Sequence, residues 1–173
     1  MSTVLLVIDL QNDYFPGGKF PLWDADATLA RCERAIAAAH ARGVPVVLIQ
    51  HIADSRQGPS PFFVADTVGA ELHPRLLAAA PAAPIVVKHF ADSFVATNLA
   101  AVLTELAATD LLVCGMMTQN CVTHTAISRS AEPYNVSILT DCCTTVSEIL
   151  HHIAVHALST RVTLSQASTA LAD

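Results

Sequence analysis

Three residues join a reactive side chain to the end of an apolar run. Asp9 follows Leu6-Val7-Ile8, Lys88 follows Ile85-Val86-Val87, and Cys121 lies just past the glycine closing Leu112-Val113-Cys114-Gly115. A carboxylate, an ammonium and a thiol are the parts of nucleophilic acyl transfer: an acceptor for a proton, a charge that holds an anion, and the attacking atom. Cys121 follows a polar bend, Thr118-Gln119-Asn120, and opens a helical pattern. Unpaired N–H groups and the macrodipole at a helix N-terminus predict a lowered thiol pKa there.

Each residue also has a plainer use. A free cysteine in a small domain is more often a buried hydrophobe, as the patterns around Cys32, Cys114, Cys142 and Cys143 indicate. An aspartate after a strand caps a turn, and a lysine lays its stem along the surface. Three such residues at three strand ends are harder to explain that way. Burying an unpaired ammonium is costly, and Asp9 would offset that cost for Lys88. Asp13, four residues on, reads as an exposed turn residue.

Apolar runs at 4–8, 46–50, 85–87, 111–114, 136–139 and 161–164 alternate with helical patterns at 27–42, 95–107, 121–131 and 146–158. The alternation predicts right-handed crossovers and an α/β fold, a Rossmann-like three-layer sandwich: a six-stranded, mainly parallel sheet with helices on both faces. Ligands of such sheets bind outside the C-terminal strand ends, so the sheet would bring the three residues to one edge. Loops on that edge carry the aromatic residues, from which Phe15, Trp23, Phe62, Phe63 and Phe94 are the candidates for contacting substrate. The segment 52–69, with Gly58-Pro59-Ser60-Pro61-Phe62-Phe63, is too long and too punctuated for a regular element and predicts an ordered lid or interface loop.

Composition narrows the classes. The 173 residues are 53% hydrophobic and 14% charged, enough for one cored domain and unlike a disordered chain. That apolar fraction points to burial between subunits, hence a homo-oligomer, dimer or tetramer. A net charge of −6 speaks against nucleic acid or an anionic membrane as partner. The chain enters a strand pattern at once, with no leader or transmembrane-length run, and reads as cytoplasmic. Five cysteines, two of them adjacent, form neither a disulfide framework nor a CxxC zinc motif. No GxGxxG, GxxxxGK or GxSxG occurs, which disfavours a nucleotide-binding domain and a serine hydrolase.

Three segments in this order, Ile8-Asp9-Leu10-Gln11-Asn12-Asp13-Tyr14-Phe15, Val87-Lys88-His89 with Ser93-Phe94, and Gly115-Met116-Met117-Thr118-Gln119-Asn120-Cys121-Val122, resemble the signatures of the isochorismatase-like cysteine hydrolases. That superfamily includes nicotinamidases, N-carbamoylsarcosine amidases and isochorismatases. The resemblance extends through Gly69-Ala70-Glu71-Leu72 and Thr140-Asp141-Cys142-Cys143, so residues 1–173 read as a single isochorismatase-like hydrolase domain. It implies that Asp9, Lys88 and Cys121 are a catalytic triad. It also implies a non-proline cis peptide at Met116–Met117, aiming the N–H groups of Met117 and Cys121 at an oxyanion. The implied reaction cleaves a C–N bond of a small amide or carbamoyl compound through a thioester.

Departures from the family refine this. Nicotinamidases carry an Asp-x-His pair and further histidines after strand two, which bind a metal. Here Gln50-His51-Ile52-Ala53-Asp54-Ser55 has one histidine, so His51 reads as a satisfied strand-end residue, and the expectation is no metal and no cofactor. Arg56 is a candidate for a substrate carboxylate. Isochorismatases proper generally lack the cysteine, so Cys121 favours an amide. The alternatives are a vinyl-ether hydrolase using Asp9 as acid and a non-catalytic binding module on the same fold.

Overall fold

The computed structural model describes residues 2–54, 56 and 58–172; Ser55 of the strand-two segment lies outside them. Six strands form one sheet: β1 Thr3–Ile8, β2 Val46–His51, β3 Ile85–Lys88, β4 Asp110–Met116, β5 Asn135–Thr144 and β6 Thr163–Ser165. Their order is β3-β2-β1-β4-β5-β6, and every pairing is parallel. The chain runs outward from β1 to β3, then returns to place β4 on the other side of β1. That reversal makes the C-terminal ends of β1 and β4 the topological switch point, where ligands of open α/β sheets bind.

The central strand shows why this order is stable. Val4 through Ile8 are all fully buried, although successive side chains point to opposite faces, so both faces of β1 are covered. Each such side chain contributes about 1.5–3 kcal/mol of burial. The long helix α1 (Ala25–Ala41) packs along β5, and α5 (Glu148–Leu158) also meets β5. The sheet is less covered at its edge, where Ile85 and Val87 of β3 are each 45% exposed. Burial on both sides therefore holds for the central strands and not for β3, which has a neighbour on one side only.

Other elements differ from the periodicity. The 95–107 pattern gives only α3 (Leu99–Glu105), because turns occupy the preceding segment and Ala96 adopts a φ of 54°. The 121–131 pattern breaks into a widened turn at Thr118–Val122, a short α4 (Thr123–Ala126) and a 3-10 turn at Arg129–Ala131. Strand β5 extends to Thr144, which puts Cys142 and Cys143 in the sheet. Short helices at Pro74–Ala79 (α2) and Ala167–Ala170 (α6) had no clear signal.

Two loops after β1 and β2 are tied together by Asp13. Its carboxylate accepts from the backbone N–H groups of Lys19 (3.1 Å) and Phe63 (2.8 Å). A Cβ at Gly69 would lie 2.2 Å from that carboxylate, so only glycine admits it. Asp13 is thus buried rather than an exposed turn residue. Phe63 is 1% exposed and packs in a cluster with Tyr14, Phe20 and Phe62. The expected lid is therefore anchored: its second phenylalanine belongs to the core, because Asp13 and Tyr14 hold it there.

Candidate active site

Register brings the strand ends into one plane. Ile8 pairs with Ile49 on one side and Gly115 on the other, and His51 pairs with Lys88. Asp9 leaves β1 with a φ of 54°, a left-handed conformation that aspartate tolerates better than most residues. Gly115 has a φ of 121°, and a Cβ there would lie 2.1 Å from the Ile8 carbonyl oxygen. A side chain at that position would push β4 off β1 and separate Asp9 from the turn that bears Cys121.

After Gly115 comes a cis peptide between Met116 and Met117, then the Thr118–Val122 turn that carries Cys121. The turn is held from two directions. Asn120 and Val122 donate their N–H groups to the Met117 carbonyl, and the Thr118 hydroxyl meets Nδ1 of His151 on α5 at 2.9 Å.

The ammonium of Lys88 sits at the centre of the cluster. Its Nζ lies 2.9 Å from Asp9 Oδ2 and donates to Cys121 Sγ at 3.1 Å and to the Phe90 carbonyl at 3.1 Å. His51 Nδ1 is 3.0 Å away on another side. The Asp9 and Lys88 side chains are fully buried, and Cys121 is buried with them. Among the described residues, Asp9 Oδ1 has no hydrogen-bond partner. The three residues singled out by their strand ends are therefore brought together.

Electrostatics differ from the sequence expectation in one respect. Burial and then the Asp9 carboxylate push the Cys121 thiol above its ordinary value, with Lys88 pulling the other way. The lowered pKa expected at a helix start is reversed, because the residue lies under protein beside a carboxylate. Burial works against the Lys88 ammonium, but the charges of Asp9 and Cys121 and its bonds to both hold its pKa above the usual value. Burial and the Lys88 charge lower His51 to about 4.

Asp9, His51 and Cys121 offer an oxygen, a nitrogen and a sulfur all within 4.8 Å of one another, a donor set that a metal ion would use. It does not fit one here. Lys88 Nζ stands within 3.1 Å of all three atoms, so a divalent ion would have to displace or face a buried ammonium.

The other candidates are spread more widely. Among the aromatic five, Phe63 has its ring 5.9 Å from His51. Phe15 packs on His73, Trp23 lies 6.2 Å from His151, Phe94 stacks on Tyr134, and Phe62 joins the Tyr14 cluster. Arg56 is fully exposed and forked onto Asp54, two residues away. A concavity of about 760 Å³ between Ser128, Tyr134, Asn135, Arg161 and Thr163 opens where β5 and β6 begin, the edge opposite the cluster.

Sequence reasoning passed over two residues. His51 read as a satisfied strand end, yet it joins the cluster; its signal was position, since the last residue of β2 must meet Lys88 once β2 and β3 pair. Gln11 clamps it: the side-chain amide donates to the His51 carbonyl at 2.7 Å and accepts from the His51 N–H at 2.8 Å.

Comparison with known proteins places the chain in a family. The isochorismatase domain family matches residues 3–168. The uncharacterized isochorismatase family protein YddQ of Bacillus subtilis strain 168 is 34% identical over 147 residues, covering 85% of this chain and 80% of its own. The nicotinamidase of Escherichia coli K12 is 29% identical over 80% of this chain and 81% of its own. The crystal structure of an isochorismatase-like protein of Oleispira antarctica superimposes with a TM-score of 0.88 at 29% identity, covering 99% of this chain and 97% of its own. On the family match and the YddQ relative, the chain belongs to the isochorismatase family of hydrolases.

Proposed function

We propose that the protein is a cysteine hydrolase that cleaves the C–N bond of a small amide or carbamoyl compound, with Asp9, Lys88 and Cys121 as its catalytic residues. The observation that carries this reading is the single ammonium within 2.9 Å of a carboxylate and 3.1 Å of a thiol, all three buried. At rest the carboxylate and ammonium cancel, and the thiol is neutral. Losing its proton to water would leave a buried net negative charge. Passing it to Asp9 keeps the total at zero. Internal transfer is therefore the low-cost route to a thiolate, and the unpartnered Oδ1 of Asp9 is free to take the proton.

The thiolate then attacks the substrate carbonyl carbon, with the oxyanion held by the N–H groups of Met117 and Cys121. Asp9 returns its proton to the departing nitrogen as the C–N bond breaks, leaving a thioester. Water, deprotonated by Asp9, adds to the thioester carbonyl. Collapse expels the Cys121 sulfur, which regains its proton, and releases the acid. Lys88 holds whichever neighbour is anionic at each stage and also fills the space a metal would need, so turnover is independent of metal.

A screen of small amides, ureas and carbamoyl acids for ammonia release tests the reading, together with mass spectrometry of the quenched enzyme. The expected result is release that survives EDTA, with a transient acyl mass on Cys121. Turnover by Cys121→Ala, or activity lost to EDTA and restored by zinc, would overturn it.

A further inference from the structure

The Lys88 ammonium has one more acceptor than it has protons. Asp9 Oδ2, His51 Nδ1, Cys121 Sγ and the Phe90 carbonyl surround three N–H bonds at 2.9–3.1 Å. An ammonium is a donor only, so Nδ1 of His51 meets it as an acceptor. A neutral imidazole that accepts through Nδ1 carries its proton on Nε2. His51 is neutral in the working range, since burial and Lys88 lower its pKa to about 4. Lys88 therefore fixes the His51 tautomer.

Position matters as much as protonation. The two-point clamp from Gln11 holds the His51 backbone, and the Phe63 ring stands 5.9 Å away at 40°. The His51 side chain is 20% exposed, whereas those of Asp9 and Lys88 are 0% exposed. Its Nδ1 edge is turned inward onto Lys88, which leaves the Nε2 edge to meet whatever enters. Nδ1 itself is 3.9 Å from Cys121 Sγ. One reachable donor thus stands beside a buried sulfur.

We infer that the Nε2–H of His51 is the substrate-orienting donor of this site, and that the site prefers amides whose acyl part bears a hydrogen-bond acceptor, such as a ring nitrogen or second carbonyl, next to the scissile carbonyl. The inference rests on the hydrolase reading for the bond that is cut, but not for the state of His51. An acyl group without an acceptor covers Nε2–H and leaves it unpaired, a discrimination of about tenfold or more.

Two measurements test it. Nitrogen-15 NMR of the labelled protein should show the His51 proton on Nε2 and none on Nδ1; the reverse tautomer overturns the inference whatever the enzyme turns over. Calorimetry on Cys121→Ala should show picolinamide, with its ring nitrogen beside the carbonyl, binding about tenfold more tightly than benzamide. Adding His51→Phe should bring the two to parity, while His51→Gln, which restores a side-chain N–H, should recover most of the preference. Equal or undetectable binding of both amides to Cys121→Ala, or a preference that survives His51→Phe, overturns it. Failure of Cys121 to take an acyl group from an activated ester would end the hydrolase reading instead and leave both His51 readouts intact.

Discussion

Two groups of cysteine in this molecule share burial and differ in company. Cys121 lies among Asp9, Lys88 and His51 at the C-terminal strand ends. Cys32, Cys114, Cys142 and Cys143 lie between α1 and the sheet or within it, where the Cys32 thiol meets the Cys142 carbonyl at 3.4 Å and the Cys143 thiol meets the Leu139 carbonyl at 3.3 Å. All five are buried, and no thiol is pushed down. Contact with neighbouring thiols raises Cys32 and Cys142, burial raises Cys143, and burial beside Asp9 raises Cys121. Neither exposure nor resting acidity sets Cys121 apart from the other four. What sets it apart is a carboxylate in reach and an ammonium that would keep the total charge constant if its proton moved.

The largest effect should come from removing that one sulfur. Cys121→Ala is expected to lower turnover by at least about a thousandfold. In the wild type, an activated aryl ester should place its acyl group on Cys121 before any other thiol, read by peptide mass mapping. Acylation of Cys32 or Cys142 first would break the contrast between the two groups.

Next in size is the buried pair itself. Lys88→Met leaves the Asp9 carboxylate uncompensated and should destabilise the fold by about 3–5 kcal/mol in urea unfolding. Adding Asp9→Asn should recover a large part of that loss, since no buried charge then lacks a partner. Full additivity of the two substitutions would mean that the 2.9 Å contact carries little coupling.

The sequence made this arrangement legible where chemistry and topology coincide. Asp9, Lys88 and Cys121 each mark a strand end, and a parallel sheet places such ends on one edge. His51 read only as a satisfied strand-end residue, because a histidine after an apolar strand has many uses and its place beside Lys88 depends on the β2–β3 register, which a linear reading does not contain. The thiol pKa was misjudged for a related reason. A helix start is visible in sequence, whereas the carboxylate that sits against it arrives from more than 100 residues away. Phe63 shows the same limit: Pro and Gly mark an irregular loop, but the contacts with Asp13 and Tyr14, distant in sequence, make it core.

A smaller, pH-dependent effect sharpens the contrast further. His51 has a pKa of about 4 in the folded protein against 6.5 for an ordinary histidine. Between those values the unfolded chain binds a proton that the native state refuses, so stability should rise with pH across that window and stay level, for this residue, below it. The size is about 1.4 kcal/mol for each unit of the gap. Lys88 and His89 oppose the protonated ring, while Asp9 favours it. Burial lowers His73 and His151 as well, and they add a slope of the same sign. The measurement is therefore the difference between wild type and His51→Gln in urea unfolding at pH 4.5, 5.5 and 7. Identical slopes for the two proteins would mean that His51 is not held neutral by its surroundings.

The smallest expected effect belongs to the other cysteines, and it tests the contrast from its quiet side. Cys32 sits in α1, where its sulfur meets the Cys142 carbonyl and the neighbouring thiols of Cys114 and Cys142 rather than an ion pair. Cys32→Ala removes a buried sulfur and leaves a small void between α1 and β5. The cost should be about 1 kcal/mol of stability, the lower end of large-to-small core changes because little volume is lost. Turnover per folded molecule should stay within about twofold, since the Cys32 sulfur meets Cys142 and Cys114 and none of Asp9, Lys88 or Cys121. Urea unfolding and steady-state rates on the same preparation read both quantities. A large fall in rate without a fall in stability would show that the thiols around α1 and the sheet are coupled to Cys121 at the strand ends, and the two groups could no longer be treated as separate.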